Sequence, residues 1–206
     1  MSFPIAVLLS GSGRTLQNFI DRIAAGTLPV RITQVISSRP NVAGIERART
    51  AGLPVEVVER KAFPSVEAFS ERTLSLCRSS GARLVVLAGY LQLLRIPEDY
   101  RLRVVNIHPA LLPAFGGKGM YGRHVHEAVL AYGAKVSGCT VHFADETYDT
   151  GPIVVQRVVP VLDDDTPDTL AERVFAAECE AYPEAIRLMA AGNWRIDGRR
   201  VVVTGS

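Results

Sequence analysis

The chain has 206 residues, 48% of them hydrophobic and 21% charged, enough for one α/β domain with a large core. Its 23 basic and 21 acidic side chains leave a net charge of +2 and form no basic block, which excludes an evident nucleic-acid surface. Three scattered cysteines (Cys77, Cys139, Cys179) make neither a disulfide framework nor a zinc pattern, and the first apolar run is too short for a signal peptide or membrane span. Together these features predict a cytoplasmic protein.

Residues 5–9 form a continuous apolar run ended by Ser10-Gly11-Ser12-Gly13, the pattern of a buried parallel strand entering a tight loop. Residues 15–25 then place Leu16, Phe19, Ile20 and Ile23 at helical spacing. The alternation repeats: strand 32–36, helix 42–51, strand 55–58, helix 65–80, strand 84–88. Strands alternating with helices predict a doubly wound, mostly parallel α/β sheet. A further strand over 104–107 runs into His108-Pro109. Residues 110–121 are rich in Gly and Pro without a clear period, and a helix is expected around 126–132. Strands over 135–143 and 152–161, joined by a polar loop, suit an antiparallel pair. Thr166 and Pro167 read as N-cap and first position of a long helix reaching about residue 190. A short hairpin, 194–196 and 201–203, turns at Asp197-Gly198. No repeat or linker interrupts the chain, so a single domain over 1–206 is expected.

Three segments carry chemistry. The glycine loop Gly11-Ser12-Gly13-Arg14-Thr15 stands between a strand and a helix, where free N–H groups and the Arg14 fork suit a phosphate. It is no Walker loop, and it is a poor dinucleotide fingerprint because Leu16 replaces the third glycine. Arg39 keeps an NADP reading open, as does a plain structural turn. The second segment is Val104-Val105-Asn106-Ile107-His108-Pro109. Side chains alternate along a strand, so Asn106 and His108 share a face at the C-terminal strand end, where open α/β sheets bind ligands. An amide donor beside an imidazole suits a carbonyl oxygen that gains negative charge. A strand-end Asn with a structural His would leave the same pattern. The third segment, from Val141 to Pro152, holds three acids, Asp145, Glu146 and Asp149. One of them beside His108 would raise its pKa and keep it protonated near neutrality.

The run Asn106-Ile107-His108-Pro109-Ala110-Leu111-Leu112-Pro113, followed by His142-Phe143 and Asp149-Thr150-Gly151-Pro152-Ile153, resembles the folate-dependent formyltransferase family. Gly11-Ser12-Gly13 with Leu16-Gln17, Leu87-Ala88-Gly89-Tyr90, and Glu178 with Tyr182-Pro183 extend the resemblance over essentially the whole chain. It implies a Rossmann-like fold with an antiparallel C-terminal edge, residues 1–100 as the nucleotide-phosphate half and 101–206 as the catalytic and folate half. It implies transfer of a formyl group from 10-formyltetrahydrofolate to the amine of glycinamide ribonucleotide in purine biosynthesis, without a metal. Asn106, His108 and Asp149 are the implied catalytic group. Gly13, Arg14, Thr15 and Glu178 are implied to hold the ribonucleotide. Leu91, Gln92, Leu93, Leu94, Asn106 and Asp145 are implied to line the folate site. Partners are expected to be these small molecules, with no nucleic acid or membrane and with a monomer or homodimer as the assembly.

The chain departs from the family pattern in three places. Gly13-Arg14-Thr15 stands where Gly-Ser-Asn is usual, Val66 stands where an Arg is common, and 115–122 is longer than the usual link. A loop insertion or a lid bearing Lys118 are the two readings of that last segment. His124 and His126 follow it without a completed metal set. Formyltetrahydrofolate hydrolases, expected to carry an extra N-terminal domain, and other folate-dependent N-formyltransferases are the near alternatives. An NADP-dependent oxidoreductase and a non-catalytic nucleotide-binding module are the distant ones.

Overall fold

The computed structural model describes residues 2–204 and divides into two compact units, one ending at Asn106 and one beginning at Ile107. Each is built around its own set of strands.

The first unit alternates β1 (Phe3–Leu9), α1 (Arg14–Ala24), β2 (Val30–Ser37), α2 (Ala43–Thr50), β3 (Val55–Val57), α3 (Val66–Ser79) and β4 (Leu84–Leu87), and receives the start of β5 (Val104–His108). The strands are parallel in the order β3-β2-β1-β4-β5. The central strands are apolar on both faces because helices cover both: Ile5, Ala6, Val7, Leu8 and Leu9 of β1 are all fully buried. α1 turns Leu16 and Phe19 into this core. α3 is capped by Ser65, whose hydroxyl accepts from the Ala68 N–H at 3.1 Å.

The second unit carries α4 (Arg123–Tyr132), β6 (Val136–Phe143), β7 (Ile153–Pro160), α5 (Pro167–Ala191) and the hairpin β8 (Trp194–Asp197) with β9 (Arg200–Val203). β6 and β7 are antiparallel, as the polar loop between them predicts, and β8 pairs antiparallel with β9. β9 also joins β7 in parallel at Ile153 and Arg200, a pairing the sequence does not announce. The 25-residue α5 starts as expected from Thr166 and Pro167, with a capping box in which Thr166 and Thr169 exchange hydrogen bonds. Pro183 lies inside α5 and does not end it. The Trp194 ring rests 5.3 Å from that of Phe143.

Candidate active site

Strand β5 ends at His108, so Asn106 and His108 stand two residues apart on one face of its C-terminal end. His108 is 3% exposed, and each of its ring nitrogens has a polar neighbour. Nε2 lies 2.8 Å from the Phe115 carbonyl, which can only accept, so Nε2 carries a proton. Nδ1 faces Asp149 Oδ2 at 3.5 Å. The other oxygen of Asp149 faces a second buried imidazole, His142 Nε2, also at 3.5 Å. His142 Nδ1 is 2.8 Å from the Phe143 carbonyl and is therefore a donor too. The Gly117 N–H donates to Asp149 Oδ2 at 2.9 Å. One carboxylate thus joins two imidazoles and a backbone amide.

Asp149 takes a left-handed backbone, φ 61°. The turn that presents it depends on Gly151, where a Cβ would overlap the Phe143 carbonyl oxygen. Burial works to raise the Asp149 carboxyl, but the His142 contact, the charge of His108 and the Gly117 N–H outweigh it and hold the group below its ordinary value. An acid beside His108 does raise its pKa, as expected, but the expectation that this keeps the imidazole protonated near neutrality is corrected. Burial is the larger effect and pushes the imidazole below 6.5, against Asp149 and the Phe115 carbonyl, with the charge of His142 adding to the fall. His126 on α4 is lowered in the same way, first by burial and then by His108.

In the first unit, the loop after β1 is drawn tight. Gly13 is left-handed (φ 71°), and a Cβ there would come 2.6 Å from the Gly44 Cα. The Gly44 N–H donates to the Gly11 carbonyl at 3.1 Å, and Arg47 Nε donates to the Ser12 carbonyl at 3.0 Å. α1 begins at Arg14 with no side-chain cap on its N–H groups, which leaves that end suited to an anion. The Leu91 N–H donates to Ser10 Oγ at 2.9 Å, tying the segment that follows β4 to the same loop.

The formyl transferase family model matches residues 4–186. The chain belongs to the formyl transferase family. Glycinamide ribonucleotide transformylase 1 of Symbiobacterium toebii is 43% identical to it and superposes with a TM-score of 0.93, covering 99% of this chain and 95% of that one. The chloroplastic phosphoribosylglycinamide formyltransferase of Arabidopsis thaliana is 39% identical over 94% of this chain and 68% of its own. The trifunctional purine biosynthetic protein adenosine-3 of Drosophila pseudoobscura pseudoobscura is 41% identical over 93% of this chain. The chain spans only 14% of that relative's length.

Within this formyl transferase fold, the structure brings His108 and Asp149 together and sets Asn106 on the same strand face as His108. Gly13, Arg14 and Thr15 stand at the start of α1, Arg14 exposed. Leu91, Gln92, Leu93 and Leu94 follow β4, with Leu94 buried and Leu91 open. Glu178 is half-buried on α5, close enough to Cys139 to help raise its thiol to about 12, after burial. The Asp145 carboxylate closes its own loop, accepting from the Thr147 N–H at 3.0 Å and the Thr150 hydroxyl at 2.8 Å. Among the described residues, no group of three or more His, Cys, Asp or Glu could hold a metal. No helix among them is long and apolar enough to cross a membrane.

Sequence reasoning missed His142, the Phe115 carbonyl and the Gly44–Arg47 buttress. A histidine near the end of a buried strand was the available signal for His142.

Proposed function

We propose that this chain transfers the formyl group of 10-formyltetrahydrofolate to the amine of N1-(5-phosphoribosyl)glycinamide, a step of purine synthesis. The observation that carries the reading is the buried His108–Asp149 pair at the end of the strand that bears Asn106. The formyl-folate supplies an activated one-carbon carbonyl, and an amide donor with a protonatable imidazole fits that group. Asn106 and His108 donate to the formyl oxygen as the amine adds to its carbon and the C=O electrons move onto oxygen. Asp149 takes a proton from the attacking amine, directly or through water, and a proton is returned to the departing folate nitrogen as the C–N bond breaks. The uncapped start of α1 with Arg14 receives the ribonucleotide phosphate, and Glu178 reaches the ribose. We assign Leu91, Gln92, Leu93 and Leu94 to the folate, and in the second unit Asp145, which sets the shape of the 144–149 loop. The three free cysteines suit a reducing compartment, and we place the protein in the cytoplasm.

The test mixes the protein with 10-formyltetrahydrofolate and glycinamide ribonucleotide and follows folate deformylation. Turnover that requires the amine is expected. Equal turnover with water alone would make the chain a hydrolase, and none with either would end the transferase reading. His108→Ala and Asp149→Asn should each lower kcat by roughly 10²-fold or more with unchanged circular dichroism. Arg14→Ala should mainly raise KM for the ribonucleotide, because its phosphate is remote from the reacting carbon.

A further inference from the structure

The segment between β5 and α4 was the one motif without a role, readable as a slack insertion or a lid. It is neither slack nor open. At its start, the Leu112 N–H donates to Thr140 Oγ1 at 3.0 Å, and Gln156 Nε2 donates to the Leu112 carbonyl at 3.0 Å, fixing it to β6 and β7. Phe115 is then held in the left-handed region, φ 52°, an uncommon state for an aromatic residue. Its ring meets Tyr132 of α4 edge-on at 5.8 Å. The Met120 N–H closes the following turn onto the Gly117 carbonyl at 3.0 Å.

The backbone of this turn grips both members of the His108–Asp149 pair. The Phe115 carbonyl takes the Nε2–H of His108, and two residues later the Gly117 N–H takes Oδ2 of Asp149. Gly116, between them, has room for no side chain: a Cβ would come 2.5 Å from Leu112 Cδ2 and 3.3 Å from the Asp149 Cβ. The Phe115 contact has a chemical consequence. With Nε2 committed as a donor to a carbonyl, Nδ1 is the nitrogen left facing the site, and it bears a hydrogen only when the ring is a cation. Its 3.5 Å separation from Asp149 exceeds a hydrogen bond and leaves that hydrogen to be shared with an incoming oxygen.

We infer that the 115–117 turn is the positioning element of the reaction: it selects Nδ1 of His108 as the working atom and makes it a donor only in the imidazolium state. The inference rests on the reading of His108 and Asp149 as the working pair. Besides the turn, the ionisable groups that act on His108 are Asp149 on the loop after β6 and His142 on β6, while His108 in turn lowers His126 on α4. The Phe115 carbonyl supports the cation, so weakening it lowers the pH at which His108 loses its proton.

The test uses Gly116→Ala, which presses first on Leu112 and then on Asp149, and Tyr132→Ala, which removes the ring that meets Phe115. Tyr132 is 80% exposed, so its loss leaves the core intact. The kcat–pH profile and the ¹⁵N ring signals of His108 are read in protein labelled at histidine. Both variants should lose about tenfold or more in kcat at neutral pH with KM changed less than about threefold. In both, the alkaline limb of kcat should move to lower pH, and the His108 nitrogen signals should move towards the mixed tautomers of a free imidazole. An unchanged limb with unchanged nitrogen signals overturns the inference, even if kcat falls equally at every pH. If His108→Ala keeps normal turnover, the working pair itself is wrong; the nitrogen signals of Gly116→Ala still report whether the turn holds the ring.

Discussion

Asp149 is held from three directions, and each hold has a different chemical character. Gly117 contributes a neutral N–H, while His108 and His142 contribute imidazoles whose facing nitrogens are protonated only as cations. Substituting His142→Phe keeps a ring in the buried space but removes the contact to Oδ1. The carboxylate then loses a support that lowers its pKa, and kcat should fall about tenfold or more; His142→Gln, which can still donate, should recover part of it. Steady-state kinetics on the two variants decide this, and equal rates in wild type and His142→Phe would remove His142 from the site. Asn106 and His108 are legible because strand alternation puts them on one face. The Phe115 carbonyl is illegible because every residue carries one, and only the fold determines which of them meets an imidazole. His142 is hidden because a histidine in a buried strand reads as core until its neighbour across the turn is known.

Among elements, the start of α5 is held by a dense set of polar contacts. Asp165 accepts from Arg173 through both oxygens, at 2.6 and 2.9 Å, from the Leu162 N–H at 2.8 Å and from the Thr169 hydroxyl at 2.8 Å. Arg173, the foremost cause, holds the Asp165 carboxyl far below its ordinary 3.8. A depressed carboxyl stabilises the fold above the unfolded value and loses that contribution as pH falls through 3.8 towards the folded value. Asp165→Asn should therefore lower the urea midpoint at pH 7, and the gap to wild type should close as the pH is taken below 3.8. A gap that is constant with pH would mean the Asn variant suffers from packing and not from lost charge. The long helix was legible through Thr166 and Pro167, while its anchor was not, because Asp165 lies among three consecutive acids that look alike in sequence. α4 begins at Arg123, three residues before the apolar period suggests, because Arg123 pairs with Glu127 and with Asp168 and so extends the first turn with polar contacts.

At the scale of the whole chain, the parallel first unit and the mixed second unit, with its two antiparallel pairs, divide between Asn106 and Ile107, inside β5. The alternation of apolar runs and helical periods made the first unit readable strand by strand. The second was readable in its helices and hairpins but not in how they join, since the parallel meeting of β7 with β9 links segments far apart in sequence. Two of its histidines, His108 and His126, are buried with lowered pKa. The unfolded chain therefore binds more protons than the folded one between pH 6.5 and those lowered values, and stability falls as pH drops through that window. Urea midpoints should decline from pH 7.5 towards 5, and His126→Gln should flatten part of the decline; a midpoint independent of pH across this range would contradict it. The indole of Trp194, seated against the ring of Phe143, has a use of its own. It is the chain's single tryptophan, and Phe143 follows His142 directly in sequence. The protein therefore carries a built-in optical reporter at the end of β6, whose emission can register the settling of the loop beyond it without any label.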